Sequence, residues 1–309
     1  MPTIWALPNF AGELFTADSI NTPLLTMTGG LTGGFKSTNF EFPTASLYSF
    51  PAAAQPAITE TASRTAPAAS NVVRSQVTNV TQIHQEAIEV TYVKQSNGGR
   101  MSGLNTAGQV NNVQDEINWQ IARKLEKIAR DVEFSMVQGV YALAANAGQF
   151  SNTRGLRATT ALAGGTVVNA GAVILSKALM DSLFLNMYNA GAVFKNLVLY
   201  VPGSVAQRLS AIYAYAPMDR QVGGVAIKQI LTDFGPVGIV VSRFAVALEV
   251  LAIEVSVVAP VFQEVPGKGI LFYEPLAKTG ASESGQLFGQ IGCDHGPAFM
   301  HGRMWNFTV

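Results

Sequence analysis

The sequence is poor in the side chains that most often carry chemistry. It has one cysteine, Cys293, and three histidines, His84, His295 and His301, in 309 residues. A single cysteine excludes an intrachain disulfide framework and a cysteine-only metal cage. Charge is scarce as well: Asp, Glu, Lys and Arg make up 13% of the chain, against roughly 25% in an ordinary soluble domain. The 20 basic and 20 acidic residues cancel. They form no block of like charge, which excludes a basic nucleic-acid stripe and a polyelectrolyte tail. Hydrophobic residues reach 48% before the 29 glycines are counted, so disorder throughout is excluded too. A neutral, apolar chain of this kind is expected to cover much of its surface with something other than water.

The N-terminus, Met1 to Trp5, shows no basic stretch followed by an apolar one, and cytoplasmic synthesis is the expectation. The most apolar stretch runs from Gly238 to Phe262 and contains Arg243, Glu249 and Glu254. It reads as buried strands and not as a membrane span.

What is present has a clear order. Residues 1–74 carry few charges and are interrupted by Gly29-Gly30, Gly33-Gly34, Pro43, Pro51, Pro56 and Pro67. They are expected to form no core of their own. They also hold Trp5, Phe10, Phe15, Phe35, Phe40, Phe42, Tyr48 and Phe50, which reads as an extended arm whose aromatics are covered by a partner. Alternation around Ile88, Val90 and Tyr92 predicts a strand within 77–93, and the Gly-rich polar stretch 95–112 predicts a projecting loop.

The strongest periodic signal follows. Ile117, Ile121, Leu125, Ile128, Val132 and Met136 recur at helical spacing, predicting a helix over about 113–139, on the order of 40 Å long. Its other faces hold a large share of the charges, and Glu126 with Arg130 fits the i,i+4 spacing of an ion pair. Arg154 and Arg157 follow in a small-residue loop. A helical stripe, Leu175, Leu179, Leu183 and Met187, stops near Gly191. Leu197 to Val201 predicts a short strand, and Ser204 is placed to cap the next helix. Strand patterns then dominate at 225–230, 237–243, 251–257, 270–273 and 298–309. The order of elements indicates an α+β fold and not regular βαβ alternation.

Catalytic signatures are missing. The chain has no phosphate-binding loop with the G-x-x-x-x-G-K-[ST] spacing, no H-E-x-x-H and no G-x-S-x-G. Cys293, Asp294, His295 and His301 are the one cluster with ligand or nucleophile chemistry, and they lack the further partners a metal or thiol site needs. Glu249 and Glu254, five apart on a strand, fall on opposite faces. The expectation is no catalytic residue, no cofactor and no metal.

Three stretches carry a family resemblance. The segment from Asn79 to Val90, followed by a Gly-rich loop and by Asp115-Glu116 opening an amphipathic helix, resembles the loop-to-spine-helix region of tailed-bacteriophage major capsid proteins. Asp233 to Arg243 and Glu274 to Gly280 are similar to stretches in the same group. The resemblance covers about residue 75 to the end. It implies the Hong Kong 97-like capsid fold, with an arm at 1–74, an extended loop at 75–112, a peripheral domain with the spine helix at 113–159, an axial domain at 160–240 and returning peripheral and axial strands at 241–309. It further implies a structural role without enzymatic activity: hexamers and pentamers of this chain in an icosahedral shell in the virion, assembled in the host cytoplasm around double-stranded DNA that is contacted weakly and non-specifically. Scaffolding, portal and decoration proteins would be further partners, and no membrane is involved. Expected subunit-interface ion pairs are Arg100 in the loop, Glu126, Arg130 and Glu133 on the helix, and Arg154 and Arg157 after it. An encapsulin-type compartment is the related alternative. A fibre or tail protein would call for coiled-coil heptads, which are not seen.

Overall fold

Two β-sheets sharing one core organise the chain in the computed structural model, which describes residues 16, 18, 20–69, 71–96, 116–213, 216–222, 225–278 and 280–309. The first elements are a short helix, α1 (Pro23–Met27), and strands β1 (Phe35–Ser37) and β2 (Glu41–Tyr48). An excursion carrying α2 (Glu60–Ser63) leads to β3 (Arg74–Val80), β4 (Gln82–Thr91) and α3 (Tyr92–Ser96). The long helix is α4 (Glu116–Gln138). After it come α5 (Leu156–Thr159), β5 (Thr166–Ile174), α6 (Lys177–Asn189), β6 (Leu197–Val201) and α7 (Gly203–Ile212). The chain closes with β7 (Ala216–Val222), β8 (Val225–Thr232), β9 (Gly235–Val241), β10 (Glu249–Glu254), β11 (Ala259–Gln263), β12 (Leu271–Pro275), β13 (Ser282–Asp294) and β14 (Gly302–Thr308).

One sheet is built on β13, which pairs with β4 along one edge and with β12 and then β11 along the other, β1 adding outside β11. The second has the order β5-β14-β10-β6-β9-β8-β7. Its central strands are buried on both faces. Along β6, Leu197, Leu199 and Val201 point into a core formed with α6 and α7, while Val198 and Tyr200 point into the core under α4. β10 alternates the same way, with Val250 and Ala252 to one side and Leu251 and Ile253 to the other. Continuous apolar runs are what a doubly covered strand requires.

The α4 stripe behaves as its spacing predicts: Ile128, Val132 and Met136 are buried, and Ile117, Ile121 and Leu125 pack against the same core. Each fully buried side chain of this size contributes roughly 1.5–3 kcal/mol. The observed helix ends one residue before the expected limit, and residues 113–115 lie outside the described residues. No helix among the described residues is long and apolar enough to cross a membrane.

Several boundaries differ from expectation. The arm segment is not structureless: α1 buries Leu24, Leu25 and Met27 in the core under α4, and β2 buries Phe42. The sheet accommodates Pro43 at a register shift between Pro43 and Ala45, where a missing N–H costs least. The expected loop 75–112 opens with β3 and β4, the latter within the strand predicted at 77–93 and held by ten residue pairs to β13; residues 97–112 lie outside the described residues. The region 241–309, expected as returning peripheral and axial strands, divides between the two sheets. β10 and β14 enter the seven-stranded sheet, whereas β11, β12 and β13 form the other. Ser204 is not a cap, since α7 begins at Gly203 after Pro202 without a side-chain cap; Ser176 caps α6, accepting from Leu179 N at 3.4 Å.

Candidate assembly interface

The most exposed part of the described chain is a hairpin. β2 and β3 pair antiparallel, and the residues between them leave the body: every described residue from Tyr48 to Gln76 is exposed. Phe50 is 72% exposed, Ile58 73% and Val73 77%. Glu60, Arg64 and Arg74 are its only charges. The excursion is ordered locally, with Thr59 capping α2 by accepting from Ala62 N at 3.2 Å, Glu60 pairing with Arg64 at 3.2 Å, and Tyr48 meeting the Phe50 ring edge-on. Pro51, Pro56 and Pro67 stiffen the rest.

The base of this hairpin is rigid. Asn79 is fully buried, and its amide nitrogen donates to Arg154 O at 3.1 Å and to Cys293 O at 2.7 Å. Its amide oxygen accepts from Arg154 N at 2.7 Å and Val80 N at 2.9 Å. Thr153 Oγ1 accepts from Cys293 N at 3.0 Å, and the Arg154 guanidinium donates to Thr78 O at 3.1 Å while lying over the Tyr141 ring. Three chain segments, β3, the stretch after α4 and the end of β13, are thereby tied at one point.

A second uncharged projection follows α4. Residues 139–153 hold no charged side chain. Ala142 and Asn152 bridge antiparallel, Ala144 N donates to Ser151 Oγ at 3.0 Å, and Ala145 N donates to Gln149 Oε1 at 2.9 Å. Val140 and Phe150 stand exposed on it.

The structure gives the expected interface ion pairs partners within the chain. Glu126 pairs with Arg123 at 2.9 Å, three residues back, and not with Arg130. Arg130 approaches Asp18 only to 3.9 Å, and its Nε is buried without a hydrogen-bond partner. Glu133 is the clear correction: with 0% exposure it has no surface for a neighbour, and it accepts from Leu24 N, Leu25 N and the Tyr200 hydroxyl. Helical spacing puts it one turn from the apolar stripe, close enough to be drawn inside. Arg157 donates through Nε to both oxygens of buried Glu249, at 3.0 and 3.1 Å. Arg303 Nε lies 3.0 Å from the same carboxylate, in ion-pair contact but poorly aligned for a hydrogen bond. Arg100 lies outside the described residues.

Sequence reasoning missed Glu86. Burial pushes its carboxyl up, and hydrogen bonds from Lys124, at 2.8 Å, and Lys127 outweigh that and leave it below the usual range. These bonds fasten α4 to β4. The period-2 alternation of β4, which puts Glu86 on the same face as Ile88 and Val90 and so toward α4, was the available signal.

The thiol and imidazoles serve the fold. Burial pushes the Cys293 thiol well above its ordinary range, which keeps it protonated and unreactive. Burial also lowers His295 and His301 to about 4. His301 Nδ1 accepts from Glu254 N at 3.3 Å, so its proton sits on Nε2 and is donated to His295 O at 2.7 Å. Glu254 holds the turn before β6 through Lys195 N and Asn196 N, at the opposite end of β10 from Glu249. Among the described residues no three metal-ligating side chains come together. The cavity beside Arg157, Tyr200 and Glu249 is about 10 Å³, scarcely room for a water.

The surfaces that remain are thinly charged projections, and solved structures with this architecture include capsid and encapsulin chains. The fold is similar to that in the cyanophage A-1(L) capsid asymmetric unit, with a TM-score of 0.66, 12% identity, and 96% of each chain covered. It is similar to the capsid of the native GTA particle, with a TM-score of 0.60, 11% identity, and 98% of this chain and 96% of that one covered. The holo-SrpI encapsulin complex of Synechococcus elongatus PCC 7942 matches with a TM-score of 0.60, 12% identity, and 97% and 92% covered. At these identities the likeness establishes the fold, the α+β architecture of Hong Kong 97-like capsids. No curated protein matches the chain. The family model for the SU10 major capsid protein matches residues 2–308, nearly the whole chain, and with the long helix, the two sheets and the projecting hairpin in place the chain belongs to the SU10 major capsid protein family.

Proposed function

We propose that this chain is a major capsid subunit that assembles with copies of itself, as hexamers and pentamers, into a closed icosahedral shell around packaged double-stranded DNA. The supporting observation is the hairpin from Tyr48 to Gln76. An ordered excursion that leaves Phe50, Ile58 and Val73 in water, on a base tied by Asn79, is costly for an isolated monomer and useful to a subunit that lays it on a neighbour. Each contact of this kind is modest, and a closed lattice multiplies it. Low charge lessens the desolvation cost of many simultaneous interfaces.

In this reading the hairpin plays the role first expected of 75–112. The sheet on β13 with α4 is the peripheral body, and the seven-stranded sheet with α6 and α7 is the axial one. Glu126 and Arg130, partly exposed on α4, are the residues of the expected ion-pair set best placed to meet a neighbour, with Arg154 at the hairpin base. The shell would form in the host cytoplasm and end as the virion capsid, with scaffolding, portal and decoration proteins supplied separately. Absence of catalysis follows from the same role.

Negative-stain electron microscopy of the expressed chain tests the proposal. Closed shells tens of nanometres across support it; a monodisperse monomer under every assembly condition overturns it. The nucleic-acid or protein content of native particles separates a phage shell from a cargo compartment.

A further inference from the structure

A five-residue helix does not hold itself together in water, and α1 is held from outside. Pro23 opens it without an N–H, and Thr22 makes no side-chain cap. The two free amides that follow, Leu24 N and Leu25 N, donate to the two oxygens of Glu133 on α4, at 3.0 and 2.7 Å. Just after α1, Gly29, Gly30 and Gly34 take φ of 109°, 71° and 110°, in the left-handed region that glycine tolerates and other residues rarely do. α1 is thus a small apolar body, packed through Leu24, Leu25 and Met27 in the core under α4, followed by a glycine turn, with its free amides held by one carboxylate from 109 residues away.

The same carboxylate has a second attachment. Tyr200, on central strand β6 of the seven-stranded sheet, donates its hydroxyl to Glu133 Oε1 at 2.7 Å. Its oxygen also lies 2.6 Å from Ser242 Oγ, which accepts from Phe244 N at 3.1 Å. A phenol has one proton, so with that proton on the Glu133 bond the Tyr200 oxygen accepts from Ser242, and the donors run in one direction from Phe244 to Glu133. Chains of this kind strengthen one another. Among the described residues Glu133 has no ion pair, and burial raises its carboxyl above the ordinary range. Its charge rests on these neutral donors alone. Removing Tyr200's hydroxyl favours the protonated acid, a poorer acceptor for the α1 amides.

We propose that Glu133 is a coupling latch: the first turn of the arm segment 22–30 is fastened to α4 while the seven-stranded sheet holds Tyr200 against Glu133, so that a displacement on either side is felt on the other. Such coupling is reciprocal by necessity. It concerns the single subunit and stands whether or not shells form.

Hydrogen exchange on the full, unassembled chain tests it. In Tyr200→Phe the Leu24 and Leu25 amides are expected to exchange at least tenfold faster while α6 keeps its protection, and unchanged exchange at those two amides in the folded variant overturns the latch. Should Tyr200→Phe also lose α6 protection, Ser242→Ala, which removes only the far donor, decides on the same two amides. The reverse arm uses Leu25→Ala, which loosens α1 directly. Faster exchange of the Phe244 amide, across the core from the substitution, supports the coupling, and an unaltered Phe244 amide beside a released α1 rules it out. A merely structural Glu133 moves neither distant reporter.

Discussion

Asn79 and Arg154 exchange two hydrogen bonds, side chain to backbone in both directions, as if Asn79 were a neighbouring strand: its amide nitrogen donates to Arg154 O and its oxygen accepts from Arg154 N. Replacing the amide by a carboxylate of the same shape, Asn79→Asp, turns the donor into an acceptor facing two carbonyl oxygens. The unassembled subunit is expected to lose about 3 kcal/mol, read from the urea midpoint. A loss below about 0.5 kcal/mol would show that the hairpin base is held elsewhere.

Buried and exposed ion pairs should separate cleanly. Glu249→Ala leaves Arg157 and Arg303 facing an empty, mostly buried position, and is expected to cost about 3–5 kcal/mol. Glu126→Ala removes a partner of exposed Arg123 and is expected to cost at most about 0.5 kcal/mol. Equal midpoints for the two variants would contradict the burial of Glu249. Because Glu126→Ala spares the subunit, an assembly defect in that variant reports on a neighbour contact.

Acid should weaken the unassembled subunit. His84, His295 and His301 have folded pKa values lowered to about 4 by burial, from 6.5. Above pH 6.5 both states are neutral and nothing is lost. As pH falls below 6.5 the unfolded chain takes up protons that the folded chain refuses until about pH 4, so stability declines across that window, by roughly 3 kcal/mol per imidazole in full. Glu133 and Asp294 oppose this, since burial raises both and the folded state protonates first. Urea midpoints across this range for the parent chain and His301→Gln isolate one imidazole: the variant should show the shallower acid slope, and parallel slopes would refute a neutral buried His301.

Shortening the hairpin should divide fold from assembly. Replacing residues 52–71 by Asn-Gly removes no buried side chain among the described residues and suits a tight hairpin. Subunit stability is expected to change by less than about 1 kcal/mol, while shells disappear from electron micrographs. Normal shells from the shortened chain would remove the hairpin from the interface.

What the sequence made legible follows from what a local pattern records. The α4 stripe, β6, β9 and the α6 stop near Gly191 were readable because each has one dominant periodicity or a sharp breaker. β13 was not, since Gly285, Gly289 and Gly292 interrupt its pattern. The reason lies across the strand pairs: a Cβ at Gly285 would lie 2.1 Å from the Tyr273 hydroxyl, and one at Gly292 would lie 2.9 Å from the Phe42 ring. Long-range crowding selects those glycines, and no window of neighbouring residues contains it. Glu133 misled for the same reason. Its charge suggested a surface, and its partners on α1 and β6 are 109 and 67 residues away. The thinly charged N-terminal segment was read as needing cover from a partner, and at Leu24 and Leu25 the cover comes from the chain's own α4.

The exposed hairpin sets a limit on how long a free subunit can persist. With Phe50, Ile58 and Val73 in water, the surface that would dock on a neighbour is also the surface most open to indiscriminate association. Its concentration dependence then has two branches, ordered growth and precipitation, which draw on the same pool of monomers. The outcome is kinetic: whichever neighbour arrives first with a fitting groove decides between a closed particle and an amorphous one.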